Sequence, residues 1–202
     1  MTKQIVILLH GVGSQGNDLQ PLARLWATTL PDALFVTPNA PQRFDQGPGY
    51  QWFSVMGVTE QNRAQRIVDA QAEFDRVIAG ILSEHAFDPQ NDSLILAGFS
   101  QGSIMALDAL VTGRYPLAAV VAFSGRLASV APYTPQPGAR VLLIHGRQDA
   151  VIPWTESESA AQKIKALGFD VTLSLEEGTP HTITADGANA AAKFIAQTLS
   201  AR

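Results

Sequence analysis

Leu94-Ile95-Leu96-Ala97-Gly98-Phe99-Ser100-Gln101-Gly102 is an apolar run that ends in Gly-x-Ser-x-Gly and passes directly into a helix-like segment. This is the pattern of a nucleophile elbow, a sharp strand-to-helix turn that projects a serine hydroxyl from the edge of a sheet. The turn is so tight that the residues two before and two after the serine must be glycine or nearly so, and Gly98 and Gly102 meet that demand. In a chain with 16 Gly among 202 residues the five letters alone carry modest weight. The strand before them and the helix after them supply the rest.

Outward from this turn, short apolar runs recur at Ile5 to Leu9, Leu34 to Thr37, Ala118 to Phe123, Val141 to Ile144 and Val171 to Leu175, which with Leu94 to Ala97 makes six predicted strands. Most are continuous rather than alternating, as expected of strands buried on both faces of a parallel sheet. Between Asn62 and Glu84 the residues Ile67, Ala70, Phe74, Val77, Ile78, Ile81 and Leu82 form one helical stripe. Further helices are expected from about Asp18 to Leu30, Gln101 to Thr112, Thr155 to Leu167 and Gly187 to Leu199, with Thr155 and Asp186 as caps. Strand and helix alternate, so the fold class is α/β: about six mainly parallel strands, helices on both faces, and ligands at the carboxyl ends of the strands. The chain reads as one domain over 1–202 with no large lid. Pro38 to Gln61 is a loop-like excursion carrying Phe44, Tyr50, Trp52 and Phe53, long enough to suggest a functional role.

Composition narrows the partners. With 46% hydrophobic and 16% charged residues the chain has ample core material. A formal charge of -4 without a basic stripe gives no footprint for nucleic acid or anionic lipid. There is no cysteine, which excludes disulfides, thiol nucleophiles and thiolate metal sites. No run approaches the ~20 apolar residues of a membrane span. A soluble, cytoplasmic protein acting on a small molecule is expected, with a homodimer left open.

A serine hydroxyl needs a base to take its proton and an acid to orient that base. On α/β-hydrolase sheets the order is Ser, then Asp or Glu, then His. Asp149 lies in His145-Gly146-Arg147-Gln148-Asp149, after the fifth predicted strand, and is the expected acid, with Glu176 and Glu177 as rivals. His181 follows the sixth strand and is the only histidine after Asp149, so it is the expected base. The oxyanion donors are expected to be the backbone amides of Gln101 and of Val12, the latter in the His10-Gly11-Val12-Gly13 turn after the first strand. Trp52 and Phe53 either anchor their loop or wall an acyl pocket. Neither Ser14 nor Ser124 has glycine on both sides at the required offsets, and both read as structural or lining residues. His10 and His145 precede glycine at strand ends and read as ring-to-backbone hydrogen bonds. None of the four histidines has metal-ligand spacing, so neither metal nor other cofactor is expected.

Leu9-His10-Gly11-Val12-Gly13, Pro38-Asn39-Ala40-Pro41, Gln51-Trp52-Phe53-Ser54-Val55, Gly98-Phe99-Ser100-Gln101-Gly102, Ser124-Gly125 and His145-Gly146 with Asp149 together resemble the motifs of the phospholipase and carboxylesterase family, which includes the acyl-protein thioesterases. The likeness spans nearly the whole chain and is greatest to the small bacterial esterases of that family. It implies a six-stranded α/β-hydrolase fold, a triad of Ser100, Asp149 and His181, and carboxylic ester or thioester substrates. The sequence departs from the family at Ser103, where many members have a further glycine, and at Thr182-Ile183-Thr184, where its thioesterases are more polar. The expected activity is ester hydrolysis through an acyl-enzyme on Ser100. The alternatives are a lysophospholipase or acyl-protein thioesterase with the same triad and, in another class, a ligand-binding module without turnover.

Overall fold

A computed structural model describes residues 2–202. Six strands form one sheet: β1 (Gln4–Leu9), β2 (Ala33–Val36), β5 (Ser93–Phe99), β6 (Leu117–Phe123), β7 (Arg140–Gly146) and β8 (Asp170–Glu176). They run in the order β2-β1-β5-β6-β7-β8, and every neighbouring pair is parallel. The continuous apolar runs have the expected cause. Ile5, Ile7 and Leu9 face one core with Leu94, Leu96, Val120 and Val141, while Val6 and Leu8 face the other with Ile95, Val121 and Leu142. Both faces of each central strand are covered, so neither phase of the two-residue period is free to be polar.

On the first face lie α2 (Arg63–Glu84), α3 (Gln101–Thr112) and α4 (Thr155–Ala166); on the second lie α1 (Gln20–Ala27) and α5 (Ala185–Ser200). The α2 stripe buries Ile67, Ala70, Phe74, Ile78 and Ile81. In α3 every residue from Gln101 to Val111 is buried, so this helix is enclosed nearly all round, its polar Gln101, Ser103 and Asp108 included. Across the second face the fully buried Trp26 donates its indole N–H to the Ala188 carbonyl at 2.9 Å, tying α1 to α5. Among the described residues no helix is long and apolar enough to cross a membrane.

Three local expectations need correction. The caps are not Thr155 and Asp186: Trp154 and Thr184 hold the N-cap positions, and Thr184 alone caps by side chain, accepting from the Gly187 amide at 2.9 Å while Asp186 sits inside the first turn. The first helix is shorter than Asp18 to Leu30. A 3-10 turn at Gly16–Leu19 leads into α1, and the chain leaves the helix after Ala27, where the Thr28 hydroxyl bonds back to the Leu25 carbonyl. The excursion after β2 is not all loop either. Residues β3 (Gln42–Arg43) and β4 (Tyr50–Gln51) make a small antiparallel ribbon, which Ser14 joins through a bridge to Tyr50. Two-residue strands leave no period to read.

Candidate active site

The strand order reverses direction beside β1 and β5, since β1 leads outward to β2 while β5 leads the other way to β6. A crevice opens beyond the carboxyl ends of strands at such a switch point. Ser100 follows β5 at this place, with φ 54° and ψ −118°, a left-handed backbone that non-glycine residues rarely adopt. The flanking glycines are required by contact rather than by φ. A Cβ on Gly98 would lie 2.4 Å from the Gly102 carbonyl carbon, and one on Gly102 would lie 2.1 Å from the Leu9 carbonyl oxygen. The elbow is therefore a place where β1, β5 and α3 touch backbone to backbone.

The structure brings Ser100, His181 and Asp149 together across the sequence. His181 Nε2 lies 3.0 Å from Ser100 Oγ and its Nδ1 lies 2.7 Å from Asp149 Oδ2. The Phe99 ring packs against the imidazole with centroids 4.9 Å apart. Asp149 Oδ1 accepts from the amides of Val151 and Ile152 at 2.8 and 2.9 Å. Burial is the largest single influence on this carboxyl and pushes its pKa up. The His181 hydrogen bond and the two amides together outweigh it, holding the pKa below the ordinary value and keeping the group ionised. Glu176 instead accepts from the Thr184 hydroxyl at 2.8 Å, and Glu177 pairs with Arg147 at the surface.

Val12 and Gln101, whose amides are the expected oxyanion donors, both line the same crevice as Ser100. Gln101 opens α3, so its N–H has no partner within the helix. After β1 the Gly13 amide bonds to the Tyr50 carbonyl and the Ser14 amide to the Gly11 carbonyl, whereas Val12 N–H makes no backbone hydrogen bond among the described residues. Both Val12 and Gln101 line a cavity of about 200 Å³ at Ser100, whose apolar wall is Phe53, Val55, Val58, Ile104, Val151 and Ile152. A larger hollow of about 700 Å³, lined by Lys3, Asp32 and His85 among others, lies at the amino end of β1, away from the elbow.

Of the two loop aromatics, Phe53 walls the cavity and Trp52 does not. Trp52 is buried against Phe74 and His10, with its indole N–H donating to the His10 carbonyl at 2.9 Å, so it is a loop anchor. Sequence reasoning missed the side chain of Gln101. Its Oε1 accepts from the Trp52 amide at 2.7 Å and its Nε2 donates to the Phe53 carbonyl at 2.8 Å, tying the pocket wall to the residue after the elbow serine. His10 accepts from the Ala40 amide at Nε2, so Nδ1 carries the proton and donates to the Gly11 carbonyl. Burial lowers its pKa, partly opposed by that carbonyl. His145, fully buried, meets the Ile152 carbonyl at Nε2 and Ser157 Oγ at Nδ1, and its Nε2 also lies 3.2 Å from Asp149 Oδ2. Ser14 donates to Asp18. Among the described residues no cluster of three His, Cys, Asp or Glu is placed to hold a metal.

A parallel six-stranded sheet with helices on both faces and a serine elbow at the switch point is an α/β-hydrolase fold. The family model described as Phospholipase/Carboxylesterase matches residues 1–199. The chain belongs to that family and is a hydrolase of the carboxylesterase type. It is similar to Esterase YpfH of Escherichia coli, 33% identical over 181 residues that cover 90% of this chain and 77% of that protein. It is also similar to Acyl-protein thioesterase 1 of Gibberella zeae, 26% identical over 204 residues, covering 88% of this chain and 83% of that one. Among solved structures, that of esterase PE8 matches with a TM-score of 0.85 and 36% identity, covering 98% of this chain and 93% of its own.

Proposed function

We propose that the protein hydrolyses short-chain carboxylic esters through an acyl-enzyme on Ser100. The observation that carries this is the unbroken relay from Ser100 Oγ to His181 Nε2 at 3.0 Å and from His181 Nδ1 to Asp149 Oδ2 at 2.7 Å. Neutral His181 takes the hydroxyl proton as Ser100 attacks the ester carbonyl, and Asp149 holds the ring in the tautomer that leaves Nε2 free to accept it. The oxyanion is met by the amides of Val12 and Gln101. His181 then gives its proton to the departing alcohol. In the second half water attacks the acyl-enzyme and gives one proton to His181, which passes it to Ser100 Oγ as the bond from that oxygen to the acyl carbon breaks and the acid leaves.

Cavity size favours a short acyl group. A space of about 200 Å³ lies below the range of roughly 300–1,000 Å³ usual for drug-sized ligands. A thioester of the same acyl size is the second reading, supported by the family's acyl-protein thioesterases. Kinetics on p-nitrophenyl esters of graded chain length, beside short acyl-CoA thioesters and lysophospholipid, separate these substrates. Replacing Ser100 by Ala is expected to lower turnover of the best of them about 10⁶-fold, as removal of a triad nucleophile does. A variant retaining a tenth of the activity would contradict the proposal.

A further inference from the structure

Two arginines interrupt the apolar wall of the cavity at Ser100. Arg63 comes from the first turn of α2 and Arg126 from the segment after β6, so two distant parts of the chain converge on one small space. Arg126 is only 15% exposed at its side chain, and the one acidic oxygen within salt-bridge reach of it is that of Glu156, at 3.8 Å. Arg63 has none within reach among the described residues. Arg66, three residues further along α2, is tied to the carbonyls of Ser54 and Met56, so the helix can occupy an arginine fully where only structure is at stake. A guanidinium carries five N–H donors, and leaving them in an apolar wall costs free energy that a bound anion recovers. Burial and then the neighbouring Arg63 push the Arg126 pKa down, with Glu156 and Glu60 acting the other way.

We propose that Arg63 and Arg126 form an anion subsite in the cavity at Ser100, so that the preferred substrate is a small ester carrying a carboxylate near its scissile bond. This rests on Ser100 being the nucleophile and adds the substrate class. Apolar side chains around the cavity take up a few methylenes, and the planar guanidinium heads take the carboxylate by charge-assisted hydrogen bonds. Such a site disfavours the neutral analogue, because Arg63 then has no anion within reach among the described residues and the mostly buried Arg126 has only the long contact to Glu156. The carboxylate sits on the acyl or on the alcohol part, and the test has one arm for each.

In the acyl arm, kcat/KM is measured for monomethyl glutarate and dimethyl glutarate. In the alcohol arm, 4-acetoxybenzoate is compared with its methyl ester. Both arms use the wild type, Arg126→Met, Arg63→Met and Arg126→Lys. The expected result is an anionic-to-neutral ratio in at least one arm that falls roughly ten- to hundred-fold in each Met variant, the range of a hydrogen bond to a charged group. Arg126→Lys keeps the larger part of the ratio. Raising salt from about 0.05 to about 0.5 M lowers the wild-type ratio. A ratio unchanged in both arms, or equal loss on anionic and neutral esters alike, overturns the anion subsite while the nucleophile assignment stands. Hydrolysis of none of the four esters, with Ser100 unlabelled by a fluorophosphonate, overturns both.

Discussion

Replacing Gln101 by Met tests whether the side chain after the elbow serine holds the pocket wall in place. Gln101 is 3% exposed, and both ends of its amide are bonded to one buried segment, accepting from the Trp52 amide at 2.7 Å and donating to the Phe53 carbonyl at 2.8 Å. Methionine has nearly the same reach and fills the volume but satisfies neither group. Each buried backbone group left unpaired costs about 1–3 kcal/mol, so the pair sets a loss of about 2–6 kcal/mol, and about 3 kcal/mol after local adjustment. For a chain of this size that lowers Tm by roughly 6–12 °C. Phe53 should shift with its segment and raise KM for short esters. The residue-101 amide survives the substitution, so kcat should fall by less than the ~100-fold typical of losing an oxyanion donor. Gln101→Glu sharpens the test: it can still accept from Trp52 but turns an oxygen toward the Phe53 carbonyl, so its Tm should fall at least as far. Scanning calorimetry with p-nitrophenyl butyrate kinetics decides the matter. A Tm within about 2 °C of wild type for Gln101→Met would mean that its side chain does not hold the Trp52–Phe53 segment.

Further outcomes follow from the same geometry. Asp149→Asn removes the charge that fixes the His181 tautomer, and kcat on the best ester should fall about 10⁴-fold with little change in Tm, as in serine triads generally. Gly102→Ala puts a methyl 2.1 Å from the Leu9 carbonyl oxygen and should cost more than the ~1–3 kcal/mol of ordinary overpacking, whereas Gly80→Ala in exposed α2, with nothing within 4 Å, should gain about 0.5–1 kcal/mol; urea unfolding of both variants checks the contrast. His10 has a lowered pKa, so below about pH 6.5 the unfolded chain takes up a proton that the folded ring resists. This contribution is present above that pH and is lost as pH falls toward the folded value, seen as a declining Tm from about pH 7 downward. Asp92 is held at about 2 by the amides of Lys3 and Asp88, so its stabilisation is present above its unfolded value of 3.8 and disappears as pH falls toward 2. Asp92→Asn should flatten Tm against pH across that interval.

The central strands and the elbow were legible because burial on both faces leaves a run such as Leu94 to Ala97 without alternation, and two glycines mark where backbones meet. Helix α2 was legible through its stripe and α3 through its near-total burial. Caps were not, because an N-cap is set by backbone geometry: Thr184 and Thr155 are alike in sequence, but only Thr184 has the extended backbone and the reach to a free amide. The triad order put Ser100, Asp149 and His181 on loops after strands, and the structure brings those three side chains within hydrogen-bond reach of one another, but choosing Asp149 over Glu176 needs the direction in which His181 turns. Trp52 and Phe53 were inseparable as neighbours, since both rings join one buried cluster and only Phe53 also borders the cavity. Arg63 and Arg126 lie far apart in sequence and share no motif, so their convergence belongs to tertiary structure alone.

If Ser100 carries the acyl group, incubating the intact protein with a fluorophosphonate and mapping the adduct by peptide mass will show it. One adduct is expected, on the peptide containing Ser100 and at that residue, with labelling slowed sharply in a His181→Ala variant. An adduct on Ser14 or Ser124 in a folded and active protein, or labelling of Ser100 at an equal rate without His181, would contradict it.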